Sequence, residues 1–296
     1  MSEEVLLEGT EQSNTTQSAP VNPLIDFVNQ SPASVGIHDK ATWMSLFDQY
    51  HIVEDPVGSS AHVGGLYTSK DGARGDGALS RFWDTFIAPN KIAFDVQQDI
   101  VKGRHVVRDL NINIQMSDKV NVTVPMHLLY EMRNTDNGPR IARLAAHWEF
   151  MPMIMQLMGK GLACLPVVMN LTVRMFAYQG LGGTLGFSSA AFNVGKKGQK
   201  TVEKLVEGLN DRSLSEVVRS FAHDEVAVEG LSNETLYPSI LLENMPFTTL
   251  IVHKTIISGD TVTFSVSTDT GEKGVMLAEL NGKTKKINAL RFYLAE

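Results

Sequence analysis

One carboxylate in this chain is set where it could do chemistry. The stretch Phe47-Asp48-Gln49-Tyr50-His51-Ile52-Val53 runs into Glu54-Asp55-Pro56-Val57-Gly58. A residue before proline is pushed out of helical geometry toward an extended one, and Gly58 then permits a turn. Asp55 therefore ends a short strand, at the rim of whatever cavity that strand borders. The chemistry open to a carboxylate so placed is general-base proton transfer, provided apolar surroundings lift its pKa toward neutrality. The competing reading is an Asp that caps a turn, a common use of Asp beside Pro. The histidines offer less. His105 and His147 lie on strands with no His or acid at metal-ligand spacing, His38 and His51 flank helix ends, and His62 lies in a long loop. Structural or solvent roles are the expectation for all of them. The chain has no His-Glu-x-x-His, Gly-x-Ser-x-Gly or phosphate-loop motif. Gly180-Leu181-Gly182-Gly183-Thr184-Leu185-Gly186 fails as a dinucleotide fingerprint, because Leu185 stands where its last Gly belongs. No metal and no cofactor are expected.

The totals agree with a soluble globular chain. Its 296 residues suffice for one large or two ordinary domains, and 43% hydrophobic with 20% charged residues is a globular composition. The net charge of -7, without a basic tract, gives no support to a nucleic-acid partner. The one cysteine, Cys164, excludes an internal disulfide and a Cys-rich zinc site and fits a reducing, cytoplasmic setting. The start lacks the basic and apolar regions of a signal peptide, and no uninterrupted apolar run is long enough to predict a spanning helix.

The elements that must position Asp55 follow from periodicity. Residues 1–20 are acidic and rich in Ser, Thr and Gln, and read as a disordered tail. A helix starts at Pro23, and a second follows the N-cap Asp39 with Trp43, Leu46 and Phe47 at helical spacing. Residues 58–77 are a long glycine-rich loop, a candidate lid. A third helix over Gly77–Ile87 carries Leu79, Phe82, Trp83 and Phe86 on one face. The period then changes to two, through Ile92–Val96, Leu110–Met116, Val120–Met132 and Ile141–Phe150. Helices followed by an antiparallel meander describe an α+β domain over 21–152. Residues 153–198 form an apolar, Met-rich connector, and the run from Met151 has two readings. A helix pair packed against or between domains is one. An interfacial membrane helix is the other, and the few basic residues favour packing. From 199 to 296 the order begins again, with two helical faces (Val202, Leu205, Val206, Leu209; Leu214, Val217, Val218, Phe221) and four strands. Phe221–Glu229 repeats the logic of Phe47–Asp55, with Glu229 or, slid by one, Gly230 on Asp55. The chain reads as a tandem of one fold, the second copy degenerate.

Glu54-Asp55-Pro56-Val57-Gly58, placed after Trp43-Met44-Ser45-Leu46-Phe47, resembles the SnoaL-like and steroid delta-isomerase (ketosteroid isomerase) branch of the nuclear transport factor 2-like superfamily. The resemblance implies two cone-shaped domains, each a strongly curved antiparallel sheet packed by about three helices. It also implies Asp55 as the base that moves a proton between two carbons of an enolisable ketone. Trp148, in Ala145-Ala146-His147-Trp148-Glu149, resembles a Trp that lines the family's steroid pocket, and Phe82 and Trp83, a fixed distance after Gly75, stand where the family has an aromatic pair. The family holds its oxyanion with a Tyr hydroxyl and a protonated Asp. Here Pro23–Ala33 contains no Tyr, Phe47 and Trp83 replace the supporting tyrosines, and Pro125-Met126-His127-Leu128-Leu129-Tyr130 has no carboxylate until Glu131. His127 or Tyr130 would have to substitute. Strict alternation groups Tyr130 with Met126 and Leu128 and puts His127 on the opposite face, so Tyr130 is the better donor if the cavity side is the more apolar. An aromatic on a half-buried strand is the plain alternative for it.

The expected function is a small apolar, cyclic ligand, steroid- or polyketide-like, held among Trp148, Phe82, Trp83, Phe86 and Phe47. On one reading it is turned over by Asp55. On a second it is only bound, with the Met-rich segment as an adaptable wall. On a third the second domain covers the sheet of the first, giving a monomer with an internal pseudo-dimer; a homodimer is the alternative.

Overall fold

The computed structural model describes residues 22–65 and 77–295. The tail at 1–20, most of the glycine-rich loop and Gly75 lie outside the described residues. Helix α1 (Pro23–Gly36) is capped by the Asn22 side chain, which accepts from the Leu24 N–H. Helix α2 (Lys40–Ser45) is capped by Asp39, which accepts from the Thr42 N–H at 3.0 Å. Phe47 is already in strand β1 (Phe47–Glu54), so the helix stops two residues earlier than the apolar spacing predicted. After β2 (His62–Val63) comes α3 (Gly77–Phe82), which widens into a π-helical turn, Trp83–Ile87. Strands β3 (Lys91–Lys102), β4 (His105–Ser117), β5 (Val120–Thr135) and β6 (Gly138–His147) form the meander.

The first sheet runs β2-β1-β6-β5-β4-β3. Its hairpins are antiparallel, but β1 lies parallel to β6, with Glu54 opposite Ala145. The sheet is thus mixed, where the periodicity predicted a purely antiparallel one. Extra residues interrupt β3, β4 and β6 near Val96, Gln115 and Ala142. Such bulges bend a strand and raise its twist, which curves the sheet around α1, α2 and α3.

A helical segment follows: α4 (Phe150–Met158), α5 (Cys164–Arg174), a π-helical turn at Met175–Gln179, and α6 (Gly180–Ser188). Then come α7 (Gly195–Asn210), α8 (Leu214–Ser220), and strands β7 (Val228–Glu229), β8 (Leu250–Ser258), β9 (Thr261–Thr268), β10 (Lys273–Leu280) and β11 (Ile287–Leu294). The second sheet runs β7-β11-β10-β9-β8, with β7 parallel to β11. That is the order of the first sheet from β1 to β3, element for element. The repeat extends to side chains. Arg143 joins Glu54 and Glu131 at 2.7 Å each, and Arg291 joins Glu229 at 3.2 Å and Glu279 at 2.6 Å through the same atoms. Glu229 is therefore the counterpart of Glu54, and Gly230 falls where the first copy has Asp55.

Each copy has its own core. One is built on Val28, Trp43, Phe82, Leu110 and Met126, the other on Val202, Leu205, Leu209, Phe264 and Phe292. A third apolar cluster lies between the sheets. Val57, Ile100, Val107, Leu129 and Ala145 of the first meet Val275, Leu277 and Tyr293 of the second. Polar pairs rim it. Lys254 and Ser265 both bond Asp109, Tyr293 meets His105 at 3.2 Å, and Ser258 donates to the Val57 carbonyl at 2.7 Å. The second copy thus covers the outer face of the first sheet.

Candidate functional site

The inner face of the first sheet and its helices enclose an apolar cavity of about 140 Å³. Alternation on β5 aims Val124, Met126, Leu128 and Tyr130 into it. Phe82 and Phe86 reach it from the third helix, and Trp148 and Asp55 close one end. The parallel pairing of β1 with β6 brings these last two together. Once Glu54 stands opposite Ala145, the Val57 N–H bonds the Ala146 carbonyl at 2.9 Å, and the chain ends carrying Asp55 and Trp148 meet. The Trp148 indole N–H donates to Asp55 Oδ1 at 2.5 Å.

Asp55 is the acidic group on an otherwise apolar end of this cavity. Burial pushes its carboxyl up to about 6, against the pull of the Trp148 hydrogen bond, which favours the ionised form. Its peptide bond to Pro56 is cis. Tyr130 is 1% exposed, and its hydroxyl meets Ser31 and the buried Arg108. Burial raises the phenol's pKa, opposed by the Arg108 charge and the Ser31 bond. Arg108 is itself held by Asp99 through two bonds of 2.7 and 3.0 Å, and by Asn29. Ser31 also accepts from the Trp43 indole at 3.1 Å. A phenol with a fixed guanidinium beside it is an oriented hydrogen-bond donor in a dry site.

The other sequence candidates divide. Phe82, Phe86 and Trp148 line the cavity. Trp83 does not, because its side chain leaves the helix about 100° round from Phe82 and packs on Trp43 at 5.4 Å. Phe47 lies on the far side of Trp43, with ring centroids 4.7 Å apart, beside a shallow cleft it shares with Asp48 and His51. Both support the aromatic wall from behind. His127 is on the opposite face of the sheet. It meets Thr263 Oγ1 at 2.6 Å and Ser265 Oγ at 2.8 Å in the second copy, too far round the strand to face a ligand.

Further residues complete the cavity, some of them from the Met-rich segment read above as an adaptable wall. Trp43, Ser31 and Asn90 line it from the first copy. The segment after the sheet supplies Met153, Val167, Leu171, Arg174 and Phe187. Phe187 stacks on Phe86 with centroids 5.0 Å apart and meets Phe150 edge-on at 5.3 Å, continuing the aromatic wall toward Trp148. Among the described residues Arg174 Nε is buried without a hydrogen-bond partner, and burial lowers the pKa of its guanidinium. An N–H left unsatisfied on a cavity wall favours a ligand that brings an acceptor.

The fold and site together describe a protein of the α+β cone type, with a carboxylate and a phenol lining one apolar cavity. No protein-family model matches the chain, and no curated protein matches it. Solved structures similar to it are of the kind that Glu54–Gly58 resembles. One is the delta 5-3-ketosteroid isomerase from Mycobacterium sp., at 26% identity over 45% of this chain and 97% of that one, with a TM-score of 0.35. A Mycobacterium tuberculosis protein in complex with estradiol-17beta-hemisuccinate has 23% identity over 44% of this chain and 96% of its own, with a TM-score of 0.36. A SnoaL-like polyketide cyclase fold from Shewanella putrefaciens has 12% identity over 47% and 99%, with a TM-score of 0.39. Each covers less than half of this chain.

Proposed function

We propose that the cavity binds an apolar ring compound bearing a carbonyl and that Asp55 shifts a double bond within it by proton transfer. Ionised Asp55 takes a proton from the carbon next to the carbonyl. The electron pair moves onto the carbonyl oxygen, where the Tyr130 hydroxyl, with Arg108 beside it, would hold the developing charge. The same carboxyl then returns its proton to a more distant carbon, so the product is an isomer and no co-reactant is consumed. The observation that carries this reading is the Asp55 carboxyl lifted to about 6 in a cavity shared with Tyr130. A base with that pKa is ionised at neutral pH yet still basic enough to take a carbon-bound proton.

The cavity volume bears on the substrate. About 140 Å³ is close to the engineered apolar cavity that admits benzene. A compact ring fits as the site stands, and a four-ring steroid requires the wall made by α4, α5 and α6 to move outward. The test is double-bond migration in β,γ-unsaturated cyclic ketones of increasing size, followed by ultraviolet absorbance. Asp55→Asn should cost about a hundredfold to ten-thousandfold in kcat with ligand affinity kept, and Tyr130→Phe about a hundredfold. The wild-type rate should fall as pH drops through about 6. Equal loss of affinity and turnover in Asp55→Asn would refute the base role.

A second reading is binding without turnover. It is favoured by the Tyr130 hydroxyl, already engaged by Ser31 and Arg108 and made a weaker acid by burial. Under it, the wild type holds cyclic ketones in the cavity and leaves their double bonds in place.

A further inference from the structure

The helical segment that walls the cavity is apolar on both of its faces. On α5, Val167 and Leu171 line the cavity. The other side of the same helix turns Leu165, Val168, Met169 and Val173 to solvent, between 41% and 65% exposed. Leu162 at its start is 89% exposed, and Phe192 beyond α6 is 82% exposed. A helix at a water surface turns a polar face outward, and one that is apolar all round is buried in protein or meets lipid. The run Gly161–Ala191 is long and apolar enough by composition to cross a membrane, and few of its side chains are buried. Asn170 and Arg174 interrupt that run, so it is not continuously apolar.

The geometry favours lying on a membrane over crossing one. Gly180 has a positive φ of 67° and ends the continuous helix at Gln179. The stretch Cys164–Gln179 is then about 24 Å long at 1.5 Å per residue, short of the roughly 30 Å hydrocarbon core. Its inner side is tied to the cone. Gln179 donates to Thr85 at 3.1 Å, and Ser189 donates to the Gly58 carbonyl at 2.9 Å.

Charge selects the occupant. In a chain of net charge -7, no Asp or Glu occurs between Glu149 and Glu203. Lys160, Lys196, Lys197 and Lys200 lie in that interval, and all four are exposed. An apolar stretch whose only charged residues are cations complements acidic lipid headgroups. A second copy of the chain would set the same cations against one another with no acid to meet them.

We propose that residues 150–202 are a membrane-docking face. The outer sides of α4, α5 and α6 sink into the interface of an anionic bilayer, and the flanking lysines reach its headgroups. Docking does not depend on turnover at Asp55.

The test is flotation of the full chain with vesicles of phosphatidylcholine alone and of phosphatidylcholine mixed with phosphatidylserine. The expected result is capture by the phosphatidylserine vesicles, weakened by salt, and weaker capture by phosphatidylcholine alone. Leu162→Asp combined with Val173→Asp should abolish capture. Both positions are exposed, so the melting temperature without lipid should stay at its wild-type value. Lys196→Gln with Lys197→Gln should weaken binding to the anionic vesicles by about fivefold per charge removed. Asp55→Asn should float like the wild type, which separates this face from the catalytic reading. Three results would overturn the proposal. One is no capture at low salt, and another is capture that survives the paired Asp substitutions. The third is a dimer in solution that those substitutions dissociate while vesicles leave the wild type unbound.

Discussion

A carboxyl whose pKa is raised by folding weighs against the fold whenever it is ionised. Asp55 moves from 3.8 in the open chain to about 6 in the cavity. Its stabilising contribution is complete below pH 3.8 and is lost as pH rises through 6. At neutral pH the native state therefore carries a penalty of about 3 kcal/mol for keeping this group ionised. Asp55→Asn keeps an oxygen for the Trp148 N–H and removes the charge. Chemical denaturation at pH 7 should find the variant more stable than the wild type by up to that amount, and at pH 4 the difference should close. A variant less stable at both pH values would mean that the carboxylate is held by contacts stronger than the Trp148 bond. The same residue shows how far a local motif reaches. Asp-Pro ends a strand in any sequence, whereas the partner that makes Asp55 a site, Trp148, is 93 residues away in the chain.

At the scale of elements, the cavity is a cone closed by a wall from outside the cone. The sheet and first helices form one side, and α4, α5 and α6 form the other. Met153, 6% exposed, sits where that wall meets Trp148 and Phe150. Met153→Ala should cost about 2 kcal/mol or somewhat more of stability and enlarge the chamber. Titrations followed by tryptophan fluorescence should then show four-ring ketosteroids binding more tightly relative to single-ring ketones. An unchanged preference would place the size limit elsewhere. Periodicity made the meander legible, down to the inward row Met126, Leu128 and Tyr130, because alternation is a local property. It left the β1–β6 pairing unread, since strand order joins residues far apart in sequence. The family resemblance points Trp83 and Phe47 at the pocket. Which way a side chain leaves its backbone decided otherwise, and the same geometry sent His127 to the far face. Arg108, the guanidinium beside Tyr130, had no local mark at all, being one charged residue on an alternating strand.

At the scale of the whole molecule, the contact between the sheets brings histidines into a dry seam. His127 and His147 stand opposite each other on β5 and β6. His147 is 2% exposed, neither ring nitrogen has a partner among the described residues, and burial with the charges of Arg143 and Arg291 pushes its pKa down to about 3. His127 is lowered by burial and Lys254, although Asp109 lies 3.8 Å away. Groups with depressed histidine pKa values hold back stability as pH falls. The contribution of His147 is full above 6.5 and is lost toward 3, so it costs about 2 kcal/mol at pH 5. His147→Leu should reduce the loss of urea midpoint between pH 7 and pH 5 and raise the midpoint at pH 7, where two unmatched nitrogens disappear. An unaltered pH dependence would mean that the ring is already solvated.

The seam has one further consequence, which follows from Gly58 and Gly259. They touch backbone to backbone, and a Cβ on either would lie 2.5 or 2.6 Å from the Cα of the other. Were the two cones separate chains, every substitution on this surface would appear twice, and dilution would pull the halves apart. Joined in one chain, they meet at an effective concentration fixed by the linker. Each side can thus change alone. Asp109 faces Lys254, His127 faces Ser265, and one cone keeps its acid at 55 while the other holds glycine at 230.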